Sequence, residues 1–205
     1  MTGPLRPSID YVIWFCNDVR QRIPGCKVYI LYWETTEEDQ KRLEEVFDRV
    51  FAVPEPTSEL KFAVKMKQAP IWDNSNNTYK LYYAVRMLID KLTILDSTIV
   101  MRIRTDAYIE KIGFPQPGPN QFLFCPKLSC GTACDWFGIG SIGTLKKLYY
   151  MHDIEYTSRA KNAWNSEHII LNNAKIHGIE MVSINSTTRL ALAREYPPMK
   201  LQYYD

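Results

Sequence analysis

Asp106 is the side chain around which chemistry is most readily built. It closes the stretch Ser97 to Thr105, STIVMRIRT, which reads as a β-strand. Strand alternation puts Val100, Arg102, Arg104 and Asp106 on one face, and Met101, Ile103 and Thr105 on the other. Arginines inside so apolar a strand are costly unless paired, so they call for protein carboxylates or the phosphates of a ligand. A carboxylate at the carboxyl end of a strand is placed to take one coordination position of Mn2+ or Mg2+. Such an ion keeps several waters and fills its remaining sites with diphosphate oxygens. The competing reading has Asp106 capping a turn and Arg102 paired with a core acid.

Two further constellations stand out. Gly131 to Gly138, GTACDWFG, sets an acid and two aromatics between glycines, where backbone and a sugar ring can approach closely. Asp135 can act there as a general base, and Trp136 or Phe137 can stack on the ring or simply fill a core. At Asn165-Ser166-Glu167-His168 a helix begins, and Glu167 is either a functional acid or a favourable first-turn charge. His177 ends that helix and is the second candidate metal ligand beside Asp106, although a lone histidine is more often structural.

The elements that must position these residues alternate along the chain. Residues 8 to 23 read as a helix capped by Ser8, with Ile9, Val12, Ile13, Cys16, Val19 and Ile23 at helical spacing before Pro24-Gly25. Lys27 to Trp33 is a nearly continuous apolar run, the pattern of a buried parallel strand. A helix over Thr36 to Asp48 follows, then a strand at Val50 to Val53 closed by Pro54-Glu55-Pro56. Asn74 to Asn77 cap a helix over 78 to 92, which leads into the strand ending at Asp106. Beyond it come a short strand at Phe122 to Cys125, a helix from Ser141 to Met151, a helix over 166 to 177 and a strand at Glu180 to Ile184. The tail after Arg189 reads as irregular. This order predicts one α/β domain over residues 1 to 205, a mainly parallel mixed sheet flanked by helices.

Composition excludes several classes. Lys plus Arg (25) nearly balance Asp plus Glu (23), leaving +2, which gives no footprint for nucleic acid. No apolar run approaches the ~18–20 residues of a membrane span, and no signal-peptide pattern opens the sequence. Cys16, Cys26, Cys125, Cys130 and Cys134 form no CxxC pair and read as reduced thiols, so the expected location is the cytoplasm or the periphery of a membrane facing it.

The run from Asn76 to Asp106, NNTYKLYYAVRMLIDKLTILDSTIVMRIRTD, resembles the helix-strand passage of WavE-type lipopolysaccharide-synthesis glycosyltransferases. Arg104-Thr105-Asp106 looks like a variant of the Asp-x-Asp metal motif of the GT-A fold. Pro24-Gly25 followed by Val28 to Glu34, then Asp135 to Gly138, then Ser166-Glu167, stand in similar order, so the likeness covers roughly residues 8 to 175. The resemblance implies a GT-A-like domain and a metal-dependent, inverting glycosyltransferase, with a nucleoside-diphosphate sugar as donor and a glycan hydroxyl as acceptor. It places Mn2+ or Mg2+ on Asp106, and Arg104 and Lys80 near the donor diphosphate, with Asn77 and Thr105 also among the donor-binding residues. Glu34 falls near ribose or base, Asp135 is the acceptor-side carboxylate with Glu167 as its alternative, and Trp136 and Phe137 meet the sugar. A non-catalytic domain that binds carbohydrate or nucleotide sugar on the same scaffold is the alternative. Two departures accompany the likeness. Lys80 stands where the family pattern has arginine, and no strand precedes the Ser8 helix. Either residues 1 to 7 replace that strand, or Ile9 to Cys16 forms it.

Overall fold

In the computed structural model, α1 (Ile9–Arg22) opens on Ser8, whose Oγ accepts the Tyr11 N–H at 3.2 Å. Ile9 to Cys16 is therefore helix, and Tyr11, Val12, Phe15, Cys16 and Val19 form its buried stripe. Gly25, at φ 78°, turns the chain after it. The structure describes residues 1–2, 4–5, 7–56, 75–111, 113, 116–127, 132–133, 137–152, 155, 158–159, 163, 166–184, 189–195 and 200–202.

After α1 come β1 (Tyr29–Trp33), α2 (Glu37–Glu44), β2 (Arg49–Val53), α3 (Ser75–Lys91), β3 (Ile99–Ile103) and β4 (Ala107–Lys111). They are followed by β5 (Gln121–Phe124), β6 (Pro126–Lys127), β7 (Thr132–Ala133), β8 (Phe137–Ser141) and α4 (Ile142–Tyr149). The chain then forms α5 (Ser166–His177), β9 (Glu180–Ser183), β10 (Arg189–Glu195) and β11 (Lys200–Gln202).

β1 and β2 pair in parallel, Tyr29 opposite Arg49 and Trp33 opposite Val53. A second sheet has the order β3-β8-β5-β9, in which β8 runs antiparallel to β3 and β5 while β9 is parallel to β5. The segments 28–33 and 50–53 are thus neighbours as expected, but 98–105 lies in a different sheet. The expected mainly parallel sheet is corrected: among the described strands β1–β2 and β5–β9 pair in parallel, and the other pairs are antiparallel. Thr2 stands between the two sheets, bridging in parallel to Leu31 of β1 and to Arg104 just past β3. Through this bridge β2, β1, β3, β5 and β9 share one direction, and β8 opposes them. β4, β10 and β11 make a separate antiparallel sheet, and β6 pairs with β7.

Helices cover both faces, which makes the molecule a layered α/β protein. Tyr11, Phe15 and Val19 of α1 cluster with Ile30, Tyr32, Ile103, Leu123, Phe137 and Ile139. On the opposite face Tyr82 and Val85 of α3 meet Phe122, Leu148 and Tyr149, together with Ile169 and Ile170 of α5. Among the described residues no helix is long and apolar enough to cross a membrane.

Two further expectations are corrected. The tail after Arg189 is not wholly irregular, since β10 pairs with β4 and β11 with β10. Its alternation Leu190, Leu192 is a strand signal whose partner, β4, the sequence reading had not recognised. The glycine-rich stretch before Gly143 likewise contains β8. Glycine is required there by a ring: a Cβ on Gly138 would lie 1.9 Å from Cζ of Phe122, itself fully buried.

Candidate functional site

Because five strands point one way, their carboxyl ends gather on one side, and the helices that precede β1, β3 and β9 start on that side. The N-termini of α1, α3 and α5 therefore face the same end as the chain leaving β1 at Glu34, β2 at Pro54 and β3 at Arg104. Helix N-termini carry partial positive charge and free N–H groups, which suits an anion.

Asp106 lies there, in the turn between β3 and β4, and is 2% exposed. Arg104 grips it with a two-toothed ion pair, Nε donating to Oδ1 at 2.9 Å and Nη2 to Oδ2 at 2.7 Å. Arg104 itself keeps 29% of its side chain exposed. Thr105, also buried, donates its hydroxyl to the Pro4 carbonyl and ties the turn to the segment that follows Thr2. The Tyr11 hydroxyl donates to the Ala107 carbonyl at 2.6 Å. Burial first, and then the negative charge of Asp106, push the Tyr11 phenol far above its ordinary range, so it serves here only as a donor.

The other expected donor-side residues fall at the same end. Lys80, in the second turn of α3, pairs with Glu55 just beyond β2, Nζ to Oε1 at 2.5 Å. Glu34 is exposed at the end of β1, its N–H bonded to the Val53 carbonyl at 2.9 Å. Asn77 is in the first turn of α3, and its side chain lies outside the described residues. Lys80 and Arg104, the two cations assigned to a diphosphate, are thus each held by a carboxylate of the protein.

Glu167 starts α5 on this end and is buried, with the Ser166 hydroxyl donating to its Oε2 at 3.1 Å. The Tyr82 hydroxyl donates to the Ser166 carbonyl at 3.0 Å and fixes that helix start against α3. Asp135 and Trp136 lie outside the described residues.

Three assignments are corrected. His177 ends α5 immediately before β9, at the amino end of the sheet, so it is on the opposite side from Asp106 and does not share a metal with it. Phe137 is fully buried in β8 opposite Ile103 and packs in the core, leaving no face for a sugar. Arg102, 4% exposed, meets neither a core acid nor the Asp106 turn. Its guanidinium sits 5.5 Å from the Tyr149 ring centroid, and none of its three nitrogens is hydrogen-bonded.

For a divalent cation the fit rests on Asp106 alone. Among the described residues no three His, Cys, Asp or Glu side chains converge as a metal site. The carboxylate retains lone pairs beyond the two that Arg104 occupies, so it can serve as a single protein ligand if Arg104 yields. Glu55 and Tyr11 were missed in the sequence. Glu55 carried a faint signal, an acid between two prolines at a strand end, while Tyr11 read only as helix.

No protein-family model, no curated protein and no solved structure matches the chain.

Proposed function

We propose that the protein is a glycosyltransferase of the GT-A kind that takes a sugar from a nucleoside-diphosphate donor and passes it to a glycan hydroxyl. The observation that carries this reading is the Arg104–Asp106 pair at the carboxyl end of β3, its carboxylate buried and its guanidinium partly exposed. The donor diphosphate takes over Arg104 and Lys80 from their carboxylates, since both guanidinium and ammonium bind phosphate oxygens well. Asp106, once released by Arg104, would hold Mn2+ or Mg2+, which supplies positive charge to the leaving diphosphate.

The residues then act in order. Asp135 takes the proton from the acceptor hydroxyl, whose oxygen bonds to the anomeric carbon as the bond to the diphosphate oxygen breaks. The electron pair leaves with the nucleoside diphosphate, and Arg104 and Lys80 stabilise the charge developing on it. The configuration inverts in this scheme because only one displacement occurs. Glu167 is the alternative base, positioned by the Ser166 hydroxyl.

The experiment is release of nucleoside diphosphate from a panel of nucleotide sugars, with Mn2+ and with glycan acceptors, for the parent, Asp135→Ala and Glu167→Ala. Loss of a base cuts turnover by ~10²–10⁴-fold and spares donor binding. If Glu167→Ala abolishes transfer and Asp135→Ala leaves it within a few-fold, the two roles are exchanged. If the parent binds nucleotide sugars tightly but releases no diphosphate, the protein is a binding domain. That second reading draws on the engagement of both Asp106 oxygens by Arg104.

A further inference from the structure

Between β1 and β3 lies a cavity of about 550 Å3, and its walls come from both strands and from the helices on both faces. Val19 and Ile23 of α1 line it on one side, Val85 and Leu88 of α3 on the other, with Tyr29 and Met101 along its edges. A cavity that runs through the sheet layer from helix to helix has the shape of an absent strand rather than of a groove on a surface.

The ladder supports the same conclusion. The Thr2 N–H donates to the Ile103 carbonyl at 3.2 Å, and the Leu31 N–H donates to the Met1 carbonyl at 3.0 Å. Met1 and Thr2 are therefore in parallel register with both β1 and β3. Continuing that register backward from Thr2 opposite Arg104 sets successive earlier positions opposite Ile103, Arg102, Met101, Val100 and Ile99. Since alternate residues of a strand turn their backbone groups the same way, Met101 and Ile99 direct theirs, like Ile103, toward the cavity. The Met1 nitrogen already donates to the Tyr29 carbonyl at 2.6 Å, the bond a peptide N–H would make at that place.

The geometry points to a strand-acceptor slot between β1 and β3, whose occupant is an extended apolar segment that runs parallel to both strands and is joined covalently to Met1. About four residues, at ~3.3 Å each, follow β3 back to Ile99. Enclosed on both faces, that segment is continuously apolar and β-branched, not alternating. It merges β1–β2 and β3-β8-β5-β9 into one sheet and fixes Thr2 and Pro4 against the Asp106 turn. The inference stands on the cavity and the ladder and does not depend on the glycosyltransferase reading.

The test lengthens the protein ahead of Met1 by four valine and isoleucine residues, and in a control by four glycine and serine residues. The apolar extension raises Tm above both the control and the parent by roughly 10 °C or more. It also slows amide hydrogen exchange at Tyr29 and Met101 by at least tenfold, which a general gain in solubility does not do. Equal Tm values for the two extensions, or aggregation of the apolar one alone, overturn the proposal. So does a free valine-isoleucine peptide that stabilises the parent as much at micromolar concentration, because the occupant is then a separate chain.

Discussion

Replacing Asp106 by asparagine separates the charge of the pair from its shape. Asparagine keeps the volume, and its Oδ1 still accepts from Nε of Arg104, but its amide opposes Nη2 donor to donor. Removing one partner of a fully buried pair costs about 3–5 kcal/mol, whereas an exposed pair is worth about 0–1 kcal/mol. Asp106 belongs to the first class at 3% side-chain exposure and Arg104 falls between the two at 29%, so its guanidinium can partly rehydrate. The expected loss lies midway, about 2 kcal/mol. In a chain of this length that lowers Tm by roughly 4–8 °C. Arg104→Met costs more, about 3 kcal/mol, because it strands the less exposed carboxylate. In the double variant the two losses overlap, and denaturant titration of all four proteins yields a coupling of about 1.5 kcal/mol or more. Losses that add to within about 0.5 kcal/mol refute the reasoning. The turn would then be held by Thr105 and the backbone, and Asp106 would not depend on Arg104.

Gly138→Ala drives a Cβ into the Phe122 ring and destabilises the fold by about 3 kcal/mol, read by denaturant midpoint. Adding Phe122→Leu recovers part of that loss, and no recovery argues that the ring is not the obstacle. Burial pushes the Cys16 thiol up to about 11 and the Cys125 thiol up to about 12, against an ordinary 9. In the unfolded chain both release protons first, so stability is full below about pH 9 and is lost as pH rises through 11 and 12. Cys16→Ser with Cys125→Ser flattens that alkaline slope, and an unchanged slope contradicts the assignment. Lys80→Arg restores two-pronged phosphate contact and tightens nucleoside diphosphate by a few-fold in calorimetry, and weaker binding removes Lys80 from the donor site.

How far the sequence could be read depended on whether a residue's neighbours were local. α1 and α5 were legible to within a residue because caps and apolar spacing are local signals, and Ser8 and Gly178 stand where such signals should. β8 was hidden because its glycines answer to Phe122, which lies on a different strand. The β10 alternation was visible, but without β4 it had nothing to pair with. The position of Asp106 just past β3 was legible because a strand end marks itself. Its engagement with Arg104, two residues earlier, was not foreseen, because strand alternation alone set both on one face without the turn at Thr105 that brings them into contact. The failure of Arg102 to meet an acid was equally hidden, since Tyr149 reaches it from α4. Of the two readings offered for the stretch ahead of α1, Ile9 to Cys16 is helix, and the bridges of Thr2 to Leu31 and Arg104 were not legible because both partners are distant in sequence.

The central claim is that Arg104 and Asp106 exchange each other for a diphosphate and a divalent cation. Calorimetric titration of Mn2+ and a nucleoside diphosphate, singly and together, tests it most directly on the parent and on Asp106→Asn. In the parent each ligand tightens the other by tenfold or more, about 1.4 kcal/mol of coupling. In Asp106→Asn the nucleoside diphosphate still binds, but Mn2+ no longer strengthens it. Equal strengthening by Mn2+ in both proteins, or no binding of the nucleoside diphosphate to the parent, contradicts the account.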